Sequence, residues 1–172
     1  GVLSMNVKAL LDAPVGVPTS NDFEDATVPP SGWSVTNVAA NGWVAGAVGY
    51  ASAGSAKNNF YDYSAGVTDL YTPKLDLSAS AGITTLSFDY AYAYYTDANG
   101  SLYDSLAILV SADCGATWTN VFQDGGESLA TADATGASYA PVDDAEWLNK
   151  EIDLSAYNGT PSLLVRFSGI TG

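Results

Sequence analysis

The stretch LSFDYAYAYYTDANGSLYDSLAILVSADCGATWTNVFQ, residues 86–123, decides the fold class. Leu86, Phe88, Tyr90, Tyr92 and Tyr94 alternate with Ser87, Asp89, Ala91 and Ala93, so one face of a strand over 86–95 carries the large side chains. TDANGS (96–101) reads as a turn around Asn99-Gly100. SLAILVS (105–111) is continuously apolar at its centre and reads as a buried strand, with TWTNVFQ (117–123) as its hairpin partner. Outward from this stretch, EWLNKEIDL (146–154) and SLLVRFSG (162–169) read as two further strands. No segment carries a convincing helical period. The expected fold is all-β: a two-sheet antiparallel β-sandwich of the jelly-roll kind.

The ends and gaps of this pattern set the organisation. Residues 3–10, LSMNVKAL, alternate loosely and form a strand, either the last of a preceding module or an added edge strand. PVGVPTSN follows as a linker, so 1–18 is a linker or the end of a preceding module and 19–172 the sandwich domain. The opening residues are not a signal peptide, because no cationic segment precedes an apolar core. The stretch 125–144, rich in Ala, Gly, Thr and Asp, is a long irregular loop of the kind that is functional or mobile. An internal echo joins DLSASAGITTLSF from Asp76 to DLSAYNGTPSLLVRF from Asp153. In each, a strand ends, Asp-Leu-Ser starts a turn, Gly closes it and a core strand begins, which fits two equivalent edges of a two-sheet fold.

Charge removes several function classes. The chain has 172 residues, 5 Lys+Arg, 19 Asp+Glu and no His, for a net charge of −14. Without His there is no Ser-His-Asp or Cys-His site and no imidazole-bound zinc. Five basic residues make no nucleic-acid footprint and no patch for an anionic membrane. No apolar run approaches the roughly 20 residues of a membrane span. Charged residues are 14% against a typical value of about 25%, so Ser, Thr, Asn, Asp and Gly supply the surface polarity, as in extracellular β-proteins. The single cysteine, Cys114, makes no intrachain disulfide and lacks the cationic neighbour that a catalytic thiolate needs.

Candidate sites are few. SADCGATW (111–118) matches the Asp-box pattern, a hairpin turn in which Asp113 accepts turn N–H groups, Gly115 takes a positive φ and Trp118 packs beneath. Nineteen acids make some close carboxylate pair inevitable, so no pair stands out for glycoside hydrolysis. The acidic entry NDFED (21–25), with Asp22 and Glu24, and the loop AKNNFYDYS (56–64), with Asn58 and Asn59, offer the oxygen ligands that a calcium ion takes. The aromatics have two readings. Trp33, Trp118, Trp147, Phe88 and Tyr90 are expected in the core, whereas Tyr94, Tyr95 and Tyr103 flank a turn and are expected to face a ligand, since an apolar sugar face stacks on a flat ring. Asn99-Gly-Ser and Asn158-Gly-Thr match the glycosylation sequon.

The order of these pieces is DFED, VPPSGWSV (28–35), NGW (41–43), SAKNNFYDY, TDLYTPKLDLS (68–78), LSFDYAYA, YDSLAILVSADCGATW (103–118), EWLNKEIDLSAYNG (146–159) and SLLVRF. It resembles the MAM-like, cleaved-adhesin (choice-of-anchor J) jelly-roll domains of large secreted bacterial proteins, including adhesins, proteases and type IX secretion cargo. The resemblance covers about residues 20–170. It implies a non-catalytic extracellular module for adhesion that binds a glycan or a cell-surface protein, or an accessory domain supporting a neighbouring protease or surface filament. It implies structural calcium, held by positions matching Asp22, Glu24, Asn58 and Asn59. Family members carry a further C-terminal strand with an Asp at the same site. This sequence ends at GITG (169–172) without it, so the domain is expected to lack its last strand and to leave a sheet edge open.

Overall fold

Five strands form one antiparallel layer of a β-sandwich: β11 (Thr119–Gly125), β10 (Ser105–Ser111), β13 (Leu164–Thr171), β5 (Gly66–Tyr71) and β2 (Ser34–Thr36), in that order across the sheet. The computed structural model describes residues 13–36, 42–62 and 66–172, so the strand expected over 3–10 lies outside the described residues. Among the described residues, the second layer consists of two separate antiparallel pairs. One is β7 (Thr85–Tyr90) with β12 (Leu148–Asp153); the other is the hairpin of β3 (Trp43–Gly46) and β4 (Ser55–Asn58). A further hairpin joins β8 (Tyr95–Asp97) to β9 (Gly100–Leu102), and β1 (Val15–Gly16) pairs in parallel with β6 (Leu75–Asp76).

Register explains the core. Across β10 and β13, Ile108 stands opposite Phe167 and Val110 opposite Val165, so these apolar side chains share the inner face. They meet Ile152 of β12 together with Leu77, Leu154 and Leu163, and this aliphatic set is the buried cluster. Full burial of such a side chain stabilises the fold by about 1.5–3 kcal/mol relative to exposure. Phe88 reaches from the second layer to Phe167 in an edge-on contact at 5.3 Å between ring centroids. The expected core aromatics Phe88, Tyr90, Trp33, Trp118 and Trp147 are only half-buried, and of these Phe88 packs against this aliphatic centre. Two sheets that face each other at about 10 Å fill the space between them with branched aliphatics, and flat rings sit where the layer is interrupted.

The long strand expected over 86–95 stops at Tyr90. Beyond it, the Tyr92 N–H donates to Thr131 Oγ1 at 2.9 Å, and the Thr131 N–H donates to the Tyr92 carbonyl at 2.8 Å. Thr135 and Tyr94 are joined in the same way at 3.1 Å. The backbone of 91–94 thus finds its partners in the long loop, because β12 has ended at Leu148, opposite Tyr90. TDANGS is the tip of the β8–β9 hairpin, and Asp97 Oδ1 accepts the Asn99 N–H at 2.7 Å. A four-residue helix α1 (Gly126–Leu129) and two single 3₁₀ turns are too short to carry a periodic signal.

The two echoed segments pack against each other. Asp76 Oδ1 accepts the Ser78 N–H and Asp153 Oδ1 the Ser155 N–H, at 2.9 and 2.8 Å, and both closing glycines, Gly82 and Gly159, take positive φ. The Asn158 side chain then bridges to Thr84 and to the Gly82 carbonyl. The Asp-box turn also forms. Asp113 accepts from Thr117 N–H at 2.8 Å, Thr117 Oγ1 at 2.6 Å and Ser111 Oγ at 2.7 Å. Trp118 folds back to donate its indole N–H to the Gly115 carbonyl at 3.1 Å, and exposed Cys114 sits at the tip with φ 60°.

Candidate binding cleft

Between the two halves of the second layer, no backbone hydrogen bonds join β4 to β7. The gap opens a cleft of about 1300 Å³ onto the inner face of the five-stranded sheet. Small-molecule pockets run to roughly 300–1,000 Å³, so this volume suits an extended ligand better than a compact one. Leu70 of β5, Leu106 of β10 and Phe167 of β13 form its floor. Trp43 and Asn58 wall one side, and Leu86, Phe88 and Tyr90 the other. Trp43 is fixed by donating its indole N–H to the Thr68 carbonyl at 3.1 Å.

Aromatic residues ring the mouth. Tyr61 and Tyr95 lie 5.9 Å apart, and Phe60 meets Tyr92 edge-on at 6.3 Å. Tyr50 and Tyr61 are 45% and 50% exposed, which leaves ring surface free to stack on a ligand. Phe23 packs edge-on against Trp33 at 5.8 Å. It does so with a φ of 58°, a left-handed backbone that costs a non-glycine residue about 1–3 kcal/mol. The loop tolerates it because the Asn21 carboxamide accepts the Phe23 N–H at 2.9 Å and the Phe23 carbonyl accepts the Ala26 N–H at 3.0 Å.

Hydrogen-bonding groups stand among these rings. Asn58 donates its amide to Thr68 Oγ1 at 2.5 Å, and its Oδ1 is buried without a hydrogen-bond partner among the described residues. Asp104 is 6% exposed and accepts the Gly172 N–H at 3.0 Å; burial pushes its carboxyl above the usual range. Burial, reinforced by the Asp104 charge, raises the Tyr92 phenol. Desolvation and the bonded Asp97 carboxylate raise that of Tyr95. These phenols remain protonated donors at neutral pH.

The three expected ligand tyrosines divide. Tyr95 lines the cleft beside Tyr61. Tyr94 and Tyr103 instead form their own ring pair at 5.7 Å, with Tyr103 lying over Gly126 and Tyr94 donating to Glu127 at 3.5 Å. Leu102 and Asp104, on either side of Tyr103, both line the cleft. Tyr61, Tyr50, Phe23 and Asp104 were not singled out as ligand contacts from sequence. The available signal was the interleaving of aromatics with acids and amides in NNFYDY and NDFED.

The four expected calcium ligands fall in two neighbouring places. Asp22 Oδ1 accepts the Glu24 N–H at 3.2 Å, and Glu24 Oε1 accepts the Ala53 N–H at 3.0 Å, which ties the acidic entry to the loop before β4. Asn59 donates to Asp62 at 2.6 Å, next to the unpartnered Asn58 oxygen. Among the described residues, no three of His, Cys, Asp and Glu come together as a metal-binding group. A cation here would take amide, backbone and water oxygens in addition to carboxylates, a donor set that calcium accepts.

Among the described residues, no helix is long and apolar enough to cross a membrane. No protein-family model matches the chain, and no curated protein matches it. Among solved structures the chain is similar to the carbohydrate-binding module TmCBM61 in complex with β-1,4-galactotriose, at 13% identity over 88% of this chain and 83% of that one, with a TM-score of 0.48.

Proposed function

We propose that this chain is a non-catalytic binding module for an extended glycan and works as one domain of a larger secreted or cell-surface bacterial protein. The observation that carries this reading is the open cleft, with an apolar floor and a mouth ringed by tyrosines beside amide and carboxylate oxygens. Sugar rings present an apolar face to aromatic rings and hydroxyls at their edge. Tyr61 and Tyr95 supply the stacking surface.

Calcium belongs to the same proposal. An ion held around Asp22, Glu24, Asn58 and Asn59 fastens the acidic entry and the loop before β4 at one lip of the cleft, and its role there is structural.

Affinity gel electrophoresis against soluble polysaccharides tests the glycan reading. A retarded wild type, with Tyr61→Ala and Tyr95→Ala each losing about tenfold in affinity, is the expected result; that loss corresponds to about 1.4 kcal/mol, typical of one aromatic stacking contact. Unchanged affinity in both folded variants overturns the site.

A further inference from the structure

The charges around the cleft point to the kind of glycan it admits. The carboxylates of Asp62, Asp89 and Asp104 belong to lining residues outside the proposed calcium set. One more holds a tyrosine of the cleft: Asp97 accepts the Tyr95 hydroxyl at 3.2 Å. Among the described lining residues the one cation is Lys57. This one ammonium stands against those three lining carboxylates. The only arginine, Arg166, is on the outer face of the five-stranded sheet, 3.7 Å from Asp69 and stacked on Trp118, and is not a lining residue. A carboxylate or sulfate on a ligand therefore meets several like charges and no opposed guanidinium, in a chain of net charge −14.

We infer that the cleft selects uncharged glycans and rejects uronate-bearing or sulfated ones, an inference that rests on the glycan-binding reading above. Carboxylate oxygens accept hydrogen bonds, which suits the hydroxyl donors of a neutral sugar. The same groups repel an anionic chain at any approach shorter than the screening length, about 10 Å at 0.1 M salt. Several such repulsions, each modest in water, together amount to about tenfold in affinity.

The test compares wild-type protein on uncharged polysaccharides (hydroxyethylcellulose, laminarin, mannan) with polygalacturonate and heparin at low salt and at about 1 M NaCl, where the screening length falls to about 3 Å. The expected result is binding to at least one uncharged polysaccharide about tenfold tighter than to either polyanion, with the gap narrowing in high salt and in the Asp62→Asn, Asp89→Asn double variant. Polyanion binding as tight as neutral binding overturns the selectivity while leaving glycan binding intact. A preference that ignores both salt and the double variant removes its electrostatic cause. Retention of none of the polysaccharides overturns the glycan reading itself, and the selectivity with it.

Discussion

Arg166 stands 3.7 Å from Asp69 on the outer face of the five-stranded sheet, with its guanidinium 4.4 Å from the centre of the Trp118 ring. Asp69 is held from three further directions, by Ser168 Oγ at 2.6 Å, the Tyr71 hydroxyl at 3.0 Å and Thr36 Oγ1 at 3.4 Å. The cluster crosses β13, β5 and β2 and ties the Asp-box turn to the sheet through Trp118. Burial raises the Tyr71 phenol, partly offset by its hydrogen bond with Arg166, so the tyrosine remains a donor to Asp69.

Arg166→Ala is expected to destabilise the fold by about 1–2 kcal/mol, less than for a fully buried pair because the two side chains are 21% and 13% exposed. Arg166→Lys keeps the charge but loses the planar stacking on Trp118, and recovers only a minor part of the loss. Urea unfolding measures both. Equal stability of Lys and wild type removes the stacking contribution.

Ile108 is 0% exposed at the centre of the core, whereas Phe88 borders the cleft. Ile108→Ala is expected to cost about 2–5 kcal/mol. Phe88→Ala falls below the 3–5 kcal/mol typical of a buried Phe, at about 1–3 kcal/mol, because one side of the ring has no protein atoms to lose. A Phe88→Ala loss as large as that of a buried Phe shows that the cleft is closed in solution.

Asp113 has its pKa lowered to about 2, first by the Thr117 side-chain and backbone hydrogen bonds and then by Ser111. A depressed carboxyl contributes stability that is complete above the unfolded value, about 4, and lost as pH falls through about 2. Asp76, Asp97 and Asp153 are lowered in the same direction by their own turn hydrogen bonds. Asp113→Asn is expected to flatten the acid limb of a stability–pH curve between those limits. A wild-type limb that persists unchanged in the variant assigns acid sensitivity to other groups.

Calcium at the Asp22–Glu24 entry links ion binding to folding. EDTA is expected to lower the melting temperature by several degrees, and excess calcium to restore it. Asp22→Asn with Glu24→Gln abolishes the calcium dependence. Identical melting curves in EDTA and in excess calcium overturn the calcium proposal.

Much of the fold was legible because its signals are local. SLAILVS is a buried strand at the residues read from its apolar run, and SADCGATW closes its turn with the predicted hydrogen bonds. The DLS echo marked two turns, but their mutual packing through Asn158 joins residues more than seventy positions apart and has no local signature. The strand over 86–95 read too long because alternation continues through Tyr92 and Tyr94 while the partner strand has ended. The site was less legible. Tyr95 was named, yet its companion Tyr61 comes from a different hairpin, and the pairing depends on how the two loops meet.

Composition and period alone determined that this chain is an acidic, His-free, antiparallel β protein, because both are properties of neighbouring residues along the strand. Only the tertiary structure decided that the expected core aromatics are half-buried and that, among the described residues, the second layer is split. Whether an inward-facing ring is buried depends on what the opposite layer presents to it. Between β4 and β7 no strand of the described chain stands opposite, so Phe88 and Tyr90, which read as core in a sequence, line an open cleft instead.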